Sequence, residues 1–192
     1  MHRVQPHTTR RVPAILATLA MAVAVSACGS GLEGPTPVSL DATPSAAPTG
    51  DTERSKAADA ALAAYQGYMD AAQKASAIPD PQYDGLREFL ADPLLARVQA
   101  GISDLRQEGA IRQGRLIINP TVTLVDLEST PKTVQIQDCV DGTDYEMVYE
   151  TTRSAVPGKR KVRYVATATV TYYPVQASWL VSDGLSHEDQ PC

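Results

Sequence analysis

The chain reads as an α+β fold, with helices leading and antiparallel strands following. Three observations predict it. Apolar residues recur at three- and four-residue spacing in the first part of the domain, and the period changes to two after Gly109. Short Gly- and Pro-containing turns then punctuate the strand-like segments, with no helical stretch between them.

The first helix rests on Leu62, Tyr65, Met69 and Ala72, a stripe that Ala58 and Ala61 continue backwards. Lys56, Asp59, Gln66, Asp70 and Lys74 fall on the opposite face, and Pro79 ends the helix near Ala77. Asp80-Pro81 and Asp92-Pro93 each place a capping carboxylate beside a residue whose fixed φ suits the first helical position. The first pair predicts a short helix burying Tyr83, Leu86 and Leu90. The second predicts one burying Leu94 or Leu95, Val98, Ile102 and Leu105, with Gly109 as its C′ residue.

Strands are expected at 116–118, 122–127, 134–140, 145–151, 162–173 and 177–182. Ser129-Thr130-Pro131, Asp141-Gly142 and Pro157-Gly158 supply turns between them. The long strand puts Val162, Tyr164, Ala166, Ala168, Val170 and Tyr172 on one face. Its central alanines leave room for a helix or a cavity above the sheet.

Ahead of this domain, assigned to residues 52–192, the chain opens with Arg10-Arg11, an apolar run over about 12–25, and Val25-Ser26-Ala27-Cys28. Charge, grease and small residues in that order predict a secretory signal over 1–27, and the run is shorter than the ~20 residues that span a bilayer. The ending resembles a bacterial lipobox, which implies cleavage before Cys28 and a diacylglycerol and palmitate anchor there. The expected place is the extracytoplasmic face of the cell membrane. Residues 28–51, rich in Gly, Pro, Ser, Thr and Ala, read as a disordered tether reaching about 25 Å.

Cleavage after Ala27 removes three arginines and no acid, leaving 14 Lys and Arg against 22 Asp and Glu, a net charge of −8. Phosphate backbones repel such a chain, so nucleic acid is a poor partner. With His187 the one histidine after residue 27, no transition-metal site or cofactor is expected. Cys139 and Cys192 remain once Cys28 carries lipid, and an even remainder outside the cytoplasm predicts a disulfide between them.

Three leading helices and a long meander ending in Trp179-Leu180-Val181-Ser182-Asp183 resemble the nuclear transport factor two superfamily, a cystatin-like cone of antiparallel sheet wrapped around helices. With Asp138-Cys139-Val140-Asp141 and a terminal cysteine, the chain is also similar to small exported lipoproteins of high-GC Gram-positive bacteria. The resemblance implies a pocket at the mouth of the cone. Its expected wall is Tyr164, Ala166 and Ala168, with Tyr145, Met147 and Asp138 nearby.

Asp138 admits two readings. Alternation puts it on the face of Val134 and Ile136, where a desolvated carboxylate acts as a general base. The preferred reading is plainer: the strand is ending, and Asp138 reaches water or bonds the following turn. Asp138, Asp141, Asp144 and Glu146 read as solvated hairpin charge rather than a calcium loop, whose spacing they do not match. Lys159, Arg160, Lys161 and Arg163 read as a hairpin tip that keeps an edge strand soluble, with anionic lipid as the functional alternative. Ser129-Thr130-Pro131-Lys132 has the serine-x-x-lysine spacing but falls in a turn, where the lysine has no helix to bring it to the serine. Tyr145, Tyr149, Tyr164, Tyr172 and Tyr173 suit sugar stacking, yet strands favour tyrosine anyway.

The function expected from these residues is a lipid-anchored, non-enzymatic envelope module that binds a protein partner or a small hydrophobic ligand. The alternatives are a pocket enzyme using Asp138 and a purely structural component.

Overall fold

The computed structural model describes residues 49–158 and 163–192. The expected leader, the expected tether up to residue 48 with Cys28, the basic residues Lys159, Arg160 and Lys161, and Val162 of the expected long strand lie outside them.

Helices lead. They are α1 (Thr49–Ala77), α2 (Gly85–Phe89) and α3 (Leu94–Gln107). The first begins ahead of the expected boundary at residue 52, with Asp51 in its first turn, where a negative charge complements the helix dipole. Its buried stripe is narrower in side-chain size than the sequence suggested. Ala57, Ala61, Ala64, Tyr65, Met69 and Ala75 are buried, while Leu62 and Ala72 are half-buried. Alanines there let the helix backbone lie close to the sheet. Gly67 serves the same end on the side of α2: a Cβ at that position would stand 2.3 Å from Phe89 Cε1.

The acid-proline pairs do not cap as expected. Asp80 closes a local turn instead, its Oδ1 accepting the Gln82 N–H at 2.9 Å. Asp84 takes the N-cap position of α2, and Pro93 that of α3, both without a side-chain capping bond. Leu86 and Leu90, and Leu94, Leu95 and Ile102, are buried as the periodicity predicts. Gly109 adopts φ +62° just past the end of α3, the left-handed residue that closes a helix.

Six strands follow: β1 (Ala110–Gly114), β2 (Thr121–Asp126), β3 (Thr133–Asp141), β4 (Tyr145–Tyr149), β5 (Arg163–Tyr173) and β6 (Ser178–His187). The expected strand at 116–118 is absent, and Ile117 makes only an isolated bridge to Asp141. The strand is β1, just upstream, which pairs with β4 as a two-stranded antiparallel ribbon. The other four form an antiparallel sheet in the order β2-β3-β5-β6. The last strand runs on to His187, past the expected end at 182, because its whole length pairs with β5.

The helix-facing side of this sheet carries Val134, Ile136, Asp138 and Val140 from β3, and Ala166, Ala168 and Val170 from β5. In register, Asp138 stands opposite Ala166 and Ile136 opposite Ala168. Small residues at the centre thus face larger neighbours, and the space above them goes partly to α1 and partly to a cavity.

Cys139 and Cys192 stand at disulfide distance, with Sγ atoms 2.19 Å and Cα atoms 5.8 Å apart across 53 residues of chain. Closing a loop of that length contributes about 4 kcal/mol in the chain-entropy account. It holds the C-terminal residues alongside β5, where the Val165 N–H also donates to the Gln190 carbonyl at 3.0 Å. No helix among the described residues is long and apolar enough to cross a membrane.

Candidate functional site

A cavity of about 380 Å³ lies between α1, α3, the ribbon and the helix-facing side of the sheet. Four tyrosines line it: Tyr65 and Tyr68 from α1, Tyr145 from β4 and Tyr164 from β5. Ala166 and Ala168 form part of its floor, and Val98 and Ile102 of α3 part of its wall. Of the residues expected at the site, Tyr145, Tyr164, Ala166 and Ala168 therefore meet there.

Met147 and Asp138 do not line this cavity. Met147 lines instead an adjoining pocket of about 570 Å³, which shares Arg112, Leu116, Tyr145 and Tyr164 with the first. Asp138 lies behind the cavity wall. It is 2% exposed, which overturns the preferred expectation of a solvated strand end. The reason is register: β3 continues in strict alternation through Val140, so its side chain stays on the core face.

Both carboxylate oxygens of Asp138 have partners. The Tyr65 hydroxyl donates to Oδ2 at 2.9 Å, and the Asn119 N–H donates to Oδ1 at 2.7 Å. Burial of a carboxylate without such bonds would be strongly unfavourable. The arrangement ties α1, the segment before β2, and β3 into one polar joint. Each oxygen thereby carries one hydrogen bond to the fold itself.

Burial, followed by the charge and hydrogen bond of Asp138, drives the Tyr65 phenol far above its ordinary range. Burial pushes Tyr68 up to about 12. Tyr145 and Tyr164 are raised as well, burial again leading, with the Arg112 charge opposing it in both. All four hydroxyls therefore stay protonated at neutral pH. The Tyr65 proton is committed to Asp138, whereas the Tyr68 hydroxyl makes no hydrogen bond among the described residues.

The cavity's other polar groups are largely occupied. Gln73 bridges two elements, donating to the Met69 carbonyl at 3.0 Å and accepting the Leu116 N–H at 2.8 Å. Thr167 is 2.9 Å from His187 Nε2 through its hydroxyl. Arg112 lies against the ring of Tyr145, its Cζ 5.5 Å from the ring centroid.

The remaining acidic and basic candidates are dispersed. Asp141 accepts the Thr143 N–H and hydroxyl, and the hydroxyl bond is the leading cause that holds its carboxyl below the ordinary value. Arg163 lies 3.8 Å from Asp141 and near the Cys139 sulfur. Ser129 bonds Asp126 within the β2–β3 turn, away from Lys132, and no described group of His, Cys, Asp and Glu is arranged to hold a metal. Tyr172 packs against Trp179 with tilted rings, 5.4 Å between centroids.

Sequence reasoning missed Tyr65, Tyr68 and Arg112 as site residues. A tyrosine where a helix stripe otherwise carries small apolar residues was the available signal, since a buried phenol seeks a polar partner. Arg112 had no comparable signal, because its strand was not recognised.

No family model matches this chain, and no curated protein does. Among solved structures, it is similar to the crystal structure of the intermembrane space region of the chloroplast protein ARC6. The TM-score is 0.51 and the identity 15%, over 67% of this chain and 95% of that one. At that identity the likeness concerns the fold.

Proposed function

We propose that this chain is a small-molecule-binding module of the cell envelope, moored by lipid on Cys28 and using the tyrosine-lined cavity as its binding site. The observation that carries the reading is the cavity itself. About 380 Å³ falls within the roughly 300–1,000 Å³ of small-molecule sites, and the lining mixes apolar side chains with phenols, hydroxyls, an amide and a guanidinium able to orient a ligand. A purely structural protein would gain stability by filling this space with larger side chains than Ala166 and Ala168. An enzyme using Asp138 as base is the weaker reading, because both carboxylate oxygens are bonded behind the wall.

A sheet curved around α1 in the manner of the nuclear transport factor two superfamily would put the cavity at the mouth of a cone, where that resemblance expects a ligand. The exported-lipoprotein resemblance and the lipobox-like Cys28 support placement at the membrane's outer face.

Gly101 provides the test. It lines the cavity from α3, and a Cβ there meets nothing within 4 Å, so Gly101→Phe can enter the space without backbone strain. A neutral naphthylamine dye should brighten on mixing with the full chain and lose at least about tenfold in affinity with Gly101→Phe. Equal binding by both proteins, or none by the wild type, removes the cavity as the site. In parallel, Cys28→Ser should release the protein from the membrane fraction; retention there would refute the lipid mooring.

A further inference from the structure

Arg112 is the one formally charged residue among the described residues that line the tyrosine cavity. It sits on β1, is half-buried, and has no carboxylate partner among the described residues. Its recorded neighbour is the ring of Tyr145, a contact that orients the guanidinium without neutralising it. A guanidinium partly withdrawn from water keeps N–H donors open to an oxyanion, and a charge-assisted bond there is stronger than a neutral one. The position stands out in a chain whose acids outnumber its bases, 22 to 17.

The position of Arg112 matters as much as its charge. It belongs both to the inner cavity and to the adjoining pocket of about 570 Å³, so it stands at the passage between them. The inner side offers Met69, Ala72, Val98, Ile102 and Ala168 as apolar surface, and no carboxylate lines it. Glu146 and Glu188 line the outer side, and both already have interactions of their own. An anion is therefore favoured on the inner face of the guanidinium and disfavoured beyond it. Tyr68, protonated and without a hydrogen bond among the described residues, adds a donor to the inner lining.

From this geometry we infer that the cavity takes a single-chain amphipathic anion, its carboxylate or phosphate head on Arg112 and its apolar chain among the α1, α3 and sheet residues. The inference rests on the cavity being a binding site and adds the class of ligand. Guanidinium suits both head groups, because its planar fork matches two oxygens at once.

The experiment is calorimetric titration of the full chain with decanoate, decyl phosphate, decanol and decyltrimethylammonium at neutral pH. The chain is the same length throughout and only the head changes. At least one of the two anions should bind about tenfold or more tighter than decanol, with the cation weakest. Which anion leads separates a free carboxylate from a phosphate-bearing lipid. Arg112→Gln should erase the anion preference, and Arg112→Lys should retain part of it. Amide hydrogen exchange of both variants establishes that they fold. Anion and alcohol binding alike, or an anion preference that survives Arg112→Gln, overturns the head-group assignment and leaves the cavity reading in place. Absence of heat with all four probes overturns both.

Discussion

The four-stranded sheet and the two-stranded ribbon are built from the same kind of antiparallel pairing but held in place differently. The sheet is covered by α1 and fixed from within: Val134, Ile136, Val140, Val170 and Val181 are buried, and Asp138 is bonded to α1 through Tyr65. In the ribbon, by contrast, burial is concentrated at one end, in Ala110, Ile111 and Val148, while Gln113 and Gly114 towards the other end are exposed. Yet the ribbon supplies Arg112 and Tyr145 to the cavity, whereas the sheet supplies its small-residue floor. Burial is concentrated in one region, while the charged group of the cavity lining, Arg112, comes from the other. That division is common where a site must admit and release a ligand, since such segments are drawn from the less stable parts of a structure.

The largest effect should come from breaking the sheet's polar joint. Asp138→Ala strips the acceptor from the Tyr65 hydroxyl and from the Asn119 N–H in one step. Hydrogen bonds to a charged group each contribute about 1.5–3 kcal/mol, so the loss should be about 4 kcal/mol in denaturant unfolding. Tyr65→Phe, which removes one of the two bonds, should cost about half as much. A stability change below about 1 kcal/mol for Asp138→Ala would mean that the joint is not what fastens α1 to the sheet.

Breaking the ribbon should cost less and stay local. Gly114 ends β1 at φ +89°, and a Cβ there would stand 1.6 Å from the Asp144 carbonyl oxygen. Only glycine fits such a position without moving the chain. Gly114→Ala should destabilise by about 3 kcal/mol. Its signature in hydrogen exchange should be faster exchange at 110–114 and 145–149, with β3 and β5 keeping their protection. If sheet amides lose protection to the same degree, the two regions open together and the contrast between them fails.

How much of this was legible beforehand follows the same division. The sheet's strands announced themselves through alternation, and Val134, Ile136 and Asp138 were placed on one face by counting in twos. What counting could not decide was whether the strand ended at Asp138, because that depends on β5 pairing through Asp141↔Arg163. The ribbon was half hidden. Ala110-Ile111-Arg112-Gln113-Gly114 carries too little apolar pattern to declare a strand, and its conformation comes from β4 across the register. Leu116 to Ile118 looked more strand-like and is not one, which shows tertiary pairing overriding local preference. Arg112 was lost with its strand. The helix caps failed for a different reason: Asp80 satisfies an N–H two residues on, so a turn captured the side chain before the helix began.

The smallest effect under ordinary conditions belongs to Tyr68, and it sharpens the contrast from the cavity side. Its hydroxyl makes no hydrogen bond among the described residues, so Tyr68→Phe should change stability at neutral pH by less than about 0.5 kcal/mol. Alkali should reveal the difference. Burial raises this phenol from 10.0 to about 12, which means the folded state resists ionisation that the unfolded chain accepts. The neutral phenol's contribution is whole below the unfolded value of 10.0 and disappears as pH climbs through the folded value. Wild type should consequently lose more stability than Tyr68→Phe between those two values, measured as unfolding midpoints across a pH series. Parallel curves would place the Tyr68 hydroxyl in water, leaving Arg112 without that second donor inside the cavity.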